Sequence, residues 1–292
     1  MKIFKNYPIG KLTTFRVGGK AKYFCKPKNS EEIVHAINLS KKLGLDYYIL
    51  GGGANLLISD DGISGVVVSS KKLNRYSFED DNSIRVGSGL SVNKLNKILF
   101  KKGYSGLEFS YGLPGSIGGA VFMNARCYSK EFADVIKEVR VINEDLKLET
   151  IAKDAINYSY KNSIFMKRSK LFIVDVLFDV KKGDKGEIKR ASYKNYLDRK
   201  NKGQFKYPSA GCIFKNDYNI GIPSGKIIED IGLKGHTIGG AEVYKKHANF
   251  IINKKNATPN DLYSLIKFVE DEVYKQKGYK LEREVRVIGF KE

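Results

Sequence analysis

Residues 106–124, with the sequence GLEFSYGLPGSIGGAVFMN, form the stretch around which the chain is organised. Its glycines permit a backbone with positive φ and let another chemical group approach closely, at an entropic cost in folding. Ser116 is placed to cap a short helix over residues 117–123, and the first N–H groups of such a helix favour an anion such as a phosphate. A tight turn between two buried elements is the alternative interpretation, and glycine clustering alone does not decide between them.

The composition predicts a folded protein with a basic surface. The 292 residues suffice for two or three compact domains, and 42% hydrophobic residues can supply each with a core. The net charge of +20 would suit a nucleic-acid or membrane partner, but the basic residues are scattered and mostly Lys. Short pairs such as Lys71-Lys72 are typical of solvated surface. We therefore expect neither nucleic acid nor a membrane as a partner, although the charge can attract an anionic substrate.

Cysteine and histidine usage bounds the compartment and the chemistry. The three cysteines cannot form a fully paired set of disulfides, and no apolar leader precedes a cleavage-like site. No apolar run approaches the roughly 20 residues that span a bilayer. We therefore expect a cytoplasmic protein. The three histidines lack metal-ligand spacing and no Cys-x-x-Cys pair is present, so no metal is expected.

The first part of the chain alternates helix and strand patterns with glycine turns. Residues 13–19 predict a short strand that ends in a turn, and Ser30 is the expected N-cap of a helix that ends at Gly44. A buried strand over residues 47–50 leads into the glycine loop of residues 51–55, and residues 56–59 continue as a strand. A dinucleotide-binding fingerprint needs a helix directly after the glycines, so this pattern argues against one. The loop can still wrap a phosphate with its backbone N–H groups.

The later elements follow from caps and periodicity. Ser91 begins a helix that ends at Gly103, and Thr258 begins the clearest helix of the sequence, which ends at Gly278. A charged segment with weak helical periodicity, residues 183–201, contains the expected boundary of a C-terminal domain. Shorter patterns predict a hairpin over residues 139–148, strands over 171–180, 248–253 and 281–289, a turn that enters a strand over 208–216, and a helix over 225–231.

Eight segments recur in an order that covers nearly the whole chain: TFRVGG (14–19), GGGANLL (51–57), GLPGSIGGA (112–120), PSAG (208–211), GLKG (232–235), GGA (239–241), HANFI (247–251) and EVRVIG (284–289). In this order they resemble the UDP-N-acetylenolpyruvoylglucosamine reductase family, also called MurB or UDP-N-acetylmuramate dehydrogenase. The short link between Gly225 and His247 resembles the compact form of the family, which lacks an extra tyrosine-bearing loop over the substrate.

The resemblance implies an α+β fold. It predicts a two-subdomain FAD-binding module of the vanillyl-alcohol oxidase type, followed by a MurB-like substrate domain. The expected bounds are residues 1–70 and 71–188 for the FAD-binding subdomains and 189–280 for the substrate domain. The C-terminal strand, within residues 281–292, is expected to return to the first subdomain.

The resemblance also implies an NADPH-dependent flavin oxidoreductase. Such an enzyme reduces the enolpyruvyl group of UDP-N-acetylglucosamine enolpyruvate to give UDP-N-acetylmuramate, a peptidoglycan precursor that supports cell shape and division. We expect FAD to be held non-covalently, because neither glycine loop carries a Cys or His positioned like the attachment residues of covalent relatives. The partner is then a small UDP-sugar, and the expected state is a monomer.

The site residues are carried over from the family position by position. FAD is expected at Gly51, Gly52, Gly53, Ala54, Asn55, Leu56, Pro114, Gly115, Ser116, Gly118, Gly119, Asn124 and Ala125. Substrate is expected at Tyr160, Lys202, Lys215 and Asn216.

Three positions at the expected chemistry depart from the family pattern. Lys161 stands where the family has Arg, and would stabilise the enolate with its charge but without a two-pronged contact. Cys212 stands where the family has Ser and would protonate C2, with Glu284 aiding the same half-reaction. Arg126 stands where the family has glycine, and the sequence leaves open whether it points outward or supplies a further cation.

Two other functions stay open from the sequence. The three departures would also suit a degenerate family member that binds FAD or a sugar nucleotide without turnover. The charge of +20 would suit a basic nucleic-acid-binding protein. Bound flavin separates the first two functions from the third, and substrate-driven reoxidation separates an enzyme from a degenerate relative.

Overall fold

The computed structural model describes residues 1–290 of the chain. The chain divides into two compact units, each assembled from separated segments. Unit 1 comprises Met1–Lys5, Lys22–Gly52 and Ser64–Arg199. Unit 2 comprises Asn6–Ala21, Gly53–Ile63 and the residues from Lys200 onward. The domain bounds implied by the resemblance stay a prediction. Residues 291–292 of the C-terminal segment 281–292 lie outside the described residues.

Both units combine helices with mainly antiparallel sheets, as expected for an α+β fold. The helices of residues 1–290 are α1 (Ser30–Lys42), α2 (Val92–Lys102), α3 (Ile117–Phe122), α4 (Ile164–Lys167), α5 (Lys185–Asn201), α6 (Ser224–Asp230) and α7 (Pro259–Lys277). The strands of the same residues are β1 (Ile3–Pro8), β2 (Lys20–Cys25), β3 (Tyr47–Leu50), β4 (Leu56–Ile58), β5 (Ile63–Ser69), β6 (Tyr76–Asp80), β7 (Ser83–Gly87), β8 (Tyr104–Ser105), β9 (Arg126–Cys127), β10 (Lys130–Glu131), β11 (Ile136–Ile142), β12 (Leu148–Ala152), β13 (Phe172–Asp179), β14 (Lys181–Lys182), β15 (Ser209–Cys212), β16 (Thr237–Ile238), β17 (Ala241–Val243), β18 (Phe250–Asn253) and β19 (Arg286–Ile288).

The main sheet of unit 1 is antiparallel and has the order β12-β11-β13-β7-β6. Its central strand β13 is apolar and mostly buried, with Val176 opposite Val139 on one side and Val86 on the other. The apolar faces of α2 and α3 join the same core cluster, for example through Leu95 and Val121. The stretch that ends in α3 therefore rests on the largest core of the unit.

A second sheet places the first glycine loop. Its order is β1-β2-β5-β3, and β3 pairs with β5 in parallel, Tyr47 lying opposite Val66. Helix α1 packs Ile33 and Ile37 into the cluster that covers these strands. Because β3 ends at Leu50, the glycines leave from the end of a strand that is held by this packing.

Unit 2 is built on the antiparallel sheet β15-β18-β17-β16, against which α7 packs. The apolar residues of α7 recur at helical spacing and are buried, which fixes that face against the sheet. Thr258 and Asp261 form a capping box at its start, and Gly278 ends it in the left-handed conformation at φ 70°. A separate parallel pair joins β19 to β4, with Val287 opposite Leu57.

Most predicted elements are confirmed, including the caps at Ser91 and Ser116. The prediction of a strand over residues 13–19 was wrong, because the Thr13 hydroxyl donates to the Gly10 carbonyl at 2.9 Å and the segment forms turns. The prediction of a strand over residues 281–289 was wrong for most of its length, since only Arg286–Ile288 pairs as a strand. The N-cap of α1 is Asn29 and not Ser30, one residue earlier than predicted.

No helix within residues 1–290 is both long and apolar enough to cross a membrane.

Candidate active site

The two glycine segments of unit 1 touch through their backbones. The Gly52 N–H donates to the Ser116 hydroxyl at 3.0 Å, and the same oxygen accepts from the Gly119 N–H at 3.4 Å. A Cβ on Gly52 would lie 2.5 Å from the Gly115 Cα, and one on Gly51 would lie 2.8 Å from the Ser116 oxygen. Only glycine fits at such approaches. Together these residues form what we call the glycine cradle, Gly51–Gly52 with Gly115–Gly119.

The cradle is closely packed at Gly118 and open at Gly119. The Gly118 N–H donates to the Ser88 carbonyl at 2.8 Å, and a Cβ on Gly118 would lie 2.7 Å from the Ser88 Cβ. Gly119, one residue further, is different. A Cβ there would meet only the Ser116 oxygen, at an ordinary 3.5 Å. Space for a bound group therefore exists beside Gly119, whereas the N–H groups of residues 117–119 already donate within the protein, to the Leu90 and Ser88 carbonyls and to the Ser116 hydroxyl.

Residues 53–56 of the same loop are held by their own contacts within unit 2. Gly53 has φ 63°, and a Cβ there would lie 2.1 Å from the Leu12 carbonyl oxygen. The Thr14 N–H donates to the Gly53 carbonyl at 3.0 Å, and its hydroxyl donates to the Ala54 carbonyl at 3.3 Å. Sequence reasoning assigned Thr14 no role. Its place in the TFRVGG segment was the available signal.

Asn55 links the expected cofactor loop to the expected catalytic strand. Its side-chain amide donates to the Glu284 carbonyl at 2.9 Å, and its own carbonyl accepts from the Arg286 N–H at 3.1 Å. Leu56 follows as the first residue of β4, opposite Arg286 in β19. The structure thus brings Asn55, Leu56 and Glu284 together.

In unit 1, Asn124 ties the end of α3 to the turn that carries Tyr160 and Lys161. Asn124 is fully buried, with φ 45°, and its amide donates to the Ser159 carbonyl at 3.1 Å. The Ser163 hydroxyl donates to the Phe122 carbonyl at 2.5 Å, which anchors the other side of the turn. Lys161 itself has φ 52°, a conformation uncommon for a residue with a side chain. The surrounding hydrogen bonds therefore impose the orientation of this turn.

Arg126 lies against the same turn. Its guanidinium carbon is 5.8 Å from the centroid of the Tyr160 ring. Arg126 begins β9, which pairs with β10 through a two-residue turn in which Tyr128 and Ser129 both have positive φ. The side chain is half-buried and lies over the Tyr160 ring instead of pointing away from the turn.

Positive charge surrounds Cys127, the next residue along β9. Burial raises the pKa of its thiol, and the charges of Arg199 and Lys161 oppose that rise. The thiol donates to the Phe109 carbonyl at 3.1 Å. Arg199 is buried, with its guanidinium carbon 5.1 Å from the centroid of the Tyr128 ring. Cys127 is thus a protonated, packed thiol on the edge of a cationic region.

In unit 2 the backbone brings Cys212 and Glu284 close. Cys212 ends β15, and the Glu284 N–H donates to the carbonyl of the next residue, Ile213, at 2.7 Å. Asn249 fixes this segment, since its amide oxygen accepts from the Phe214 N–H at 2.9 Å and its NH₂ donates to the Phe214 carbonyl at 2.8 Å. Asn249 was quoted within HANFI but assigned no role. An amide directly before an apolar strand was the signal.

The remaining expected substrate residues have local partners in unit 2. Lys215 forms an ion pair with Glu282 at 2.5 Å, and the Asn216 side chain accepts from the Ser224 N–H at 3.0 Å at the start of α6. Lys202 follows α5 and lies near His247, whose pKa is lowered by burial and by the Lys202 charge. Pro114 and Ala125 lie in unit 1, at the cradle and directly after Asn124.

Within residues 1–290, no group of three or more His, Cys, Asp or Glu side chains is placed to hold a metal ion.

Comparison with known proteins matches both parts of the chain. The model of an FAD binding domain matches residues 21–151, and the model of the UDP-N-acetylenolpyruvoylglucosamine reductase C-terminal domain matches residues 203–288. These matches and the observed elements confirm the predicted fold class. The glycine cradle fits an FAD-binding domain, because its closest approaches exclude side chains while the space at Gly119 stays open.

Whole-chain comparisons agree. The UDP-N-acetylenolpyruvoylglucosamine reductase of Borrelia garinii subsp. bavariensis is 42% identical over 282 residues, 96% of this chain and 91% of that protein. That of Clostridium botulinum strain Eklund 17B is 39% identical over 285 residues, 98% and 92% of the two chains. The crystal structure of UDP-N-acetylenolpyruvylglucosamine reductase from Thermus caldophilus gives a TM-score of 0.83 at 30% identity, covering 99% of this chain and 98% of that one. The chain belongs to the UDP-N-acetylenolpyruvoylglucosamine reductase (MurB) family.

Proposed function

We propose that this chain is an FAD-dependent reductase that uses NADPH to convert UDP-N-acetylglucosamine enolpyruvate to UDP-N-acetylmuramate. The observation that carries the proposal is the glycine cradle, in which Gly52 and Gly115 approach too closely for any side chain. It lies within the residues matched by the FAD-binding model, and the reductase C-terminal model follows on the same chain. The family relationship supplies the reaction.

The cradle residues would hold FAD without a covalent bond. Gly51–Asn55 and Gly115–Gly119 would lie against the pyrophosphate, and Asn124 and Ala125 would lie beside the flavin. The chemistry that FAD supplies when bound is hydride transfer, taken from NADPH and passed to C3 of the enolpyruvyl group. Cys127, the nearest thiol, is directed to the Phe109 carbonyl, which supports non-covalent binding.

Lys161 would hold the substrate carboxylate and stabilise the negative charge that develops on it. The turn of residues 159–162 supports this role, because two anchoring hydrogen bonds fix it before substrate arrives. An ammonium held in place at the developing charge costs no reorganisation during the reaction. Tyr160, next to it, would form part of the substrate pocket.

Cys212 would donate the proton that C2 receives, and Glu284 would aid that step. The carbon that becomes basic when C3 gains hydride is a far stronger base than a thiolate, so a thiol can protonate it. The Glu284 N–H bond to the Ile213 carbonyl supports a shared role for these two residues. Lys202, Lys215 and Asn216 would contact the rest of the nucleotide sugar.

The expected setting follows from the substrate. A nucleotide-sugar substrate and three free cysteines suit the cytoplasm. Production of UDP-N-acetylmuramate would place the enzyme in peptidoglycan synthesis, and so in cell shape and division. We propose that it acts as a monomer with no nucleic-acid or membrane partner.

Half-reactions of the purified protein test the proposal. We expect a yellow protein with absorbance near about 450 nm, as a flavin gives. NADPH should bleach it without oxygen, and UDP-N-acetylglucosamine enolpyruvate should restore the colour. A protein that binds FAD but is not reoxidised by this substrate would be the degenerate relative. Flavin that stays with the polypeptide after acid precipitation would contradict non-covalent binding.

A further inference from the structure

We propose that Arg126 is a second cation of the substrate site and binds the enolpyruvyl carboxylate together with Lys161. This inference rests on the proposed function and adds a residue to it. Arg126 stands where the family has glycine, and Lys161 stands where it has arginine. The guanidinium is therefore carried by β9 in this chain instead of by the turn that carries Lys161.

The Arg126 side chain reaches the residue before Lys161. Its guanidinium carbon lies 5.8 Å from the centroid of the Tyr160 ring, within the range of a cation–π contact. A guanidinium is planar and presents paired N–H donors that match the two oxygens of a carboxylate. An ammonium such as that of Lys161 offers charge without this geometry. The two side chains supply complementary parts of one anion site.

Hydrogen bonds hold the strand and the turn together. Asn124 lies two residues before Arg126, and its amide donates to the Ser159 carbonyl at 3.1 Å. The Ser163 hydroxyl donates to the Phe122 carbonyl at 2.5 Å on the other side of the turn. The spacing between the backbones that carry the two cations is thus fixed by the fold, as a pre-organised anion site requires.

The charge around β9 favours an anion. Lys161 and Arg199 both act on the Cys127 thiol, so their charges lie near the same strand. Glu131 stands opposite Arg126 in the β9–β10 pair, and its backbone N–H donates to the Asp134 carboxylate at 2.9 Å. Asp198 accepts a hydrogen bond from the Tyr128 hydroxyl at 2.7 Å. A substrate carboxylate would therefore enter a region in which the cations Arg126, Lys161 and Arg199 lie near one strand.

The alternative is that Arg126 only packs on Tyr160 and supports the fold. Binding measurements with two ligands separate the two roles. UDP-N-acetylglucosamine enolpyruvate carries the carboxylate, whereas UDP-N-acetylglucosamine lacks it. Loss of a carboxylate-binding residue should weaken binding of the enolpyruvate ligand alone. Loss of a structural support should weaken binding of both ligands.

The experiment uses the FAD-loaded enzyme and the variants Arg126→Gly, Lys161→Arg and the double variant. Lys130→Ala, on the same hairpin, is the matched control because Lys130 is exposed. Calorimetry gives the dissociation constant of each ligand for the oxidised enzyme, and rapid mixing gives the two half-reactions. We expect Arg126→Gly to weaken enolpyruvate binding at least tenfold and to leave UDP-N-acetylglucosamine binding within twofold. NADPH should reduce the flavin at an unchanged rate, and Lys130→Ala should match the unmodified enzyme.

Restoring arginine at position 161 gives a more specific test than the single variant Arg126→Gly. Because Lys161→Arg returns a guanidinium to the turn, the double variant should recover most of the binding lost by Arg126→Gly. The proposal is overturned if Arg126→Gly binds both ligands normally, if it weakens both equally, or if Lys161→Arg gives no recovery. An unmodified enzyme whose flavin is never reoxidised by the enolpyruvate would instead overturn the proposed function.

Discussion

The glycine cradle of unit 1 and the Cys212–Glu284 segment of unit 2 are built in opposite ways. In the cradle, backbone meets backbone, and the Gly52–Gly115 approach leaves no room for a side chain. In the Cys212–Glu284 segment, hydrogen bonds to backbone carbonyls hold the chain, and no backbone approach of that kind is needed. The first arrangement restricts which residue types can stand there, and the second leaves the choice open.

This difference explains where the chain departs from its family. The segment GLPGSIGGA, which resembles the family pattern, supplies half of the cradle. The departures that the resemblance implies, at Arg126, Lys161 and Cys212, all fall where we propose that a side chain, not a backbone approach, supplies the function. We expect a side chain of similar chemistry to preserve a role at positions 161 and 212, whereas a Cβ on Gly52 would clash with the Gly115 backbone.

The largest effect should follow from a methyl group in the cradle. Gly52→Ala places a Cβ 2.5 Å from the Gly115 Cα, so one glycine segment must move away from the other. We expect the FAD affinity to fall at least about 100-fold, with a further loss of about 1–3 kcal/mol in unfolding free energy from overpacking. Flavin content after purification and FAD titration of the apoprotein measure the affinity, and denaturant unfolding of the apoprotein measures the free energy of unfolding.

Gly183→Ala is the control, because Gly183 is exposed and a Cβ there would meet only Ile188, at 3.5 Å. Its flavin content should equal that of the unmodified protein. Full flavin content in Gly52→Ala would show that the close approach is not what the cofactor requires, and the contrast between the two regions would fail.

The second effect concerns the proton donor. Cys212→Ser should keep substantial activity because a hydroxyl can also donate, whereas Cys212→Ala should slow flavin reoxidation about 10² to 10⁴-fold. Cys212 is only partly buried against Tyr244 and Phe250, so alanine should cost little stability. Rapid mixing with substrate measures the rate, and Cys127→Ala is the control thiol. Reoxidation of Cys212→Ala at the unmodified rate would make Cys212 a packing residue.

The third effect concerns Lys161, the cation that we propose for the turn of residues 159–162. Lys161→Met removes the charge but keeps the length of the side chain, and we expect reoxidation to slow about 10² to 10³-fold, the scale for loss of one electrostatic contact to the transition state. Reduction by NADPH should change little. Equal damage to both half-reactions would point to a distorted turn, since Lys161 has φ 52° in a tethered loop.

The smallest effect tests the open side of the cradle. A Cβ on Gly119 makes only an ordinary contact at 3.5 Å, and alanine favours a helix over glycine. The apoprotein of Gly119→Ala should therefore be as stable as the unmodified one or slightly more so. If FAD fills the space beside Gly119, its affinity should fall about tenfold, or about 1.4 kcal/mol. Unchanged affinity would place the cofactor away from this glycine.

Local signals made much of the fold predictable. Ser91, Ser116 and Thr258 cap the helices as predicted, and Gly103 and Gly278 end two of them, because a cap depends on residues within one turn. Burial of apolar runs likewise placed β3 and β13. These features are encoded within a few residues of where they act.

Long-range contacts could not be predicted in this way. The Gly52 N–H bond to Ser116 joins residues 64 positions apart, and nothing near either residue specifies the other. The segment at Thr13 has the composition of a strand, yet side-chain bonds to Gly10 and Val17 hold it in turns. The direction of Arg126 depends on Tyr160, which belongs to another segment. Such outcomes are decided by tertiary packing and not by local preference.

The parallel pairing of β19 with β4 can form only when synthesis of the chain is nearly complete. The Glu284 carbonyl, which accepts from the Asn55 amide, is synthesised 229 residues after Asn55. At about 5–20 residues per second, that partner follows after roughly 11–46 s. All segments of unit 1 have been made once Arg199 is translated, whereas unit 2 needs β19. A nascent chain therefore carries β4 with an open edge for much of its synthesis, and such edges invite pairing with other chains. We expect unit 2 to complete its folding after unit 1. We also expect chaperones to be needed most while the chain is still bound to the ribosome.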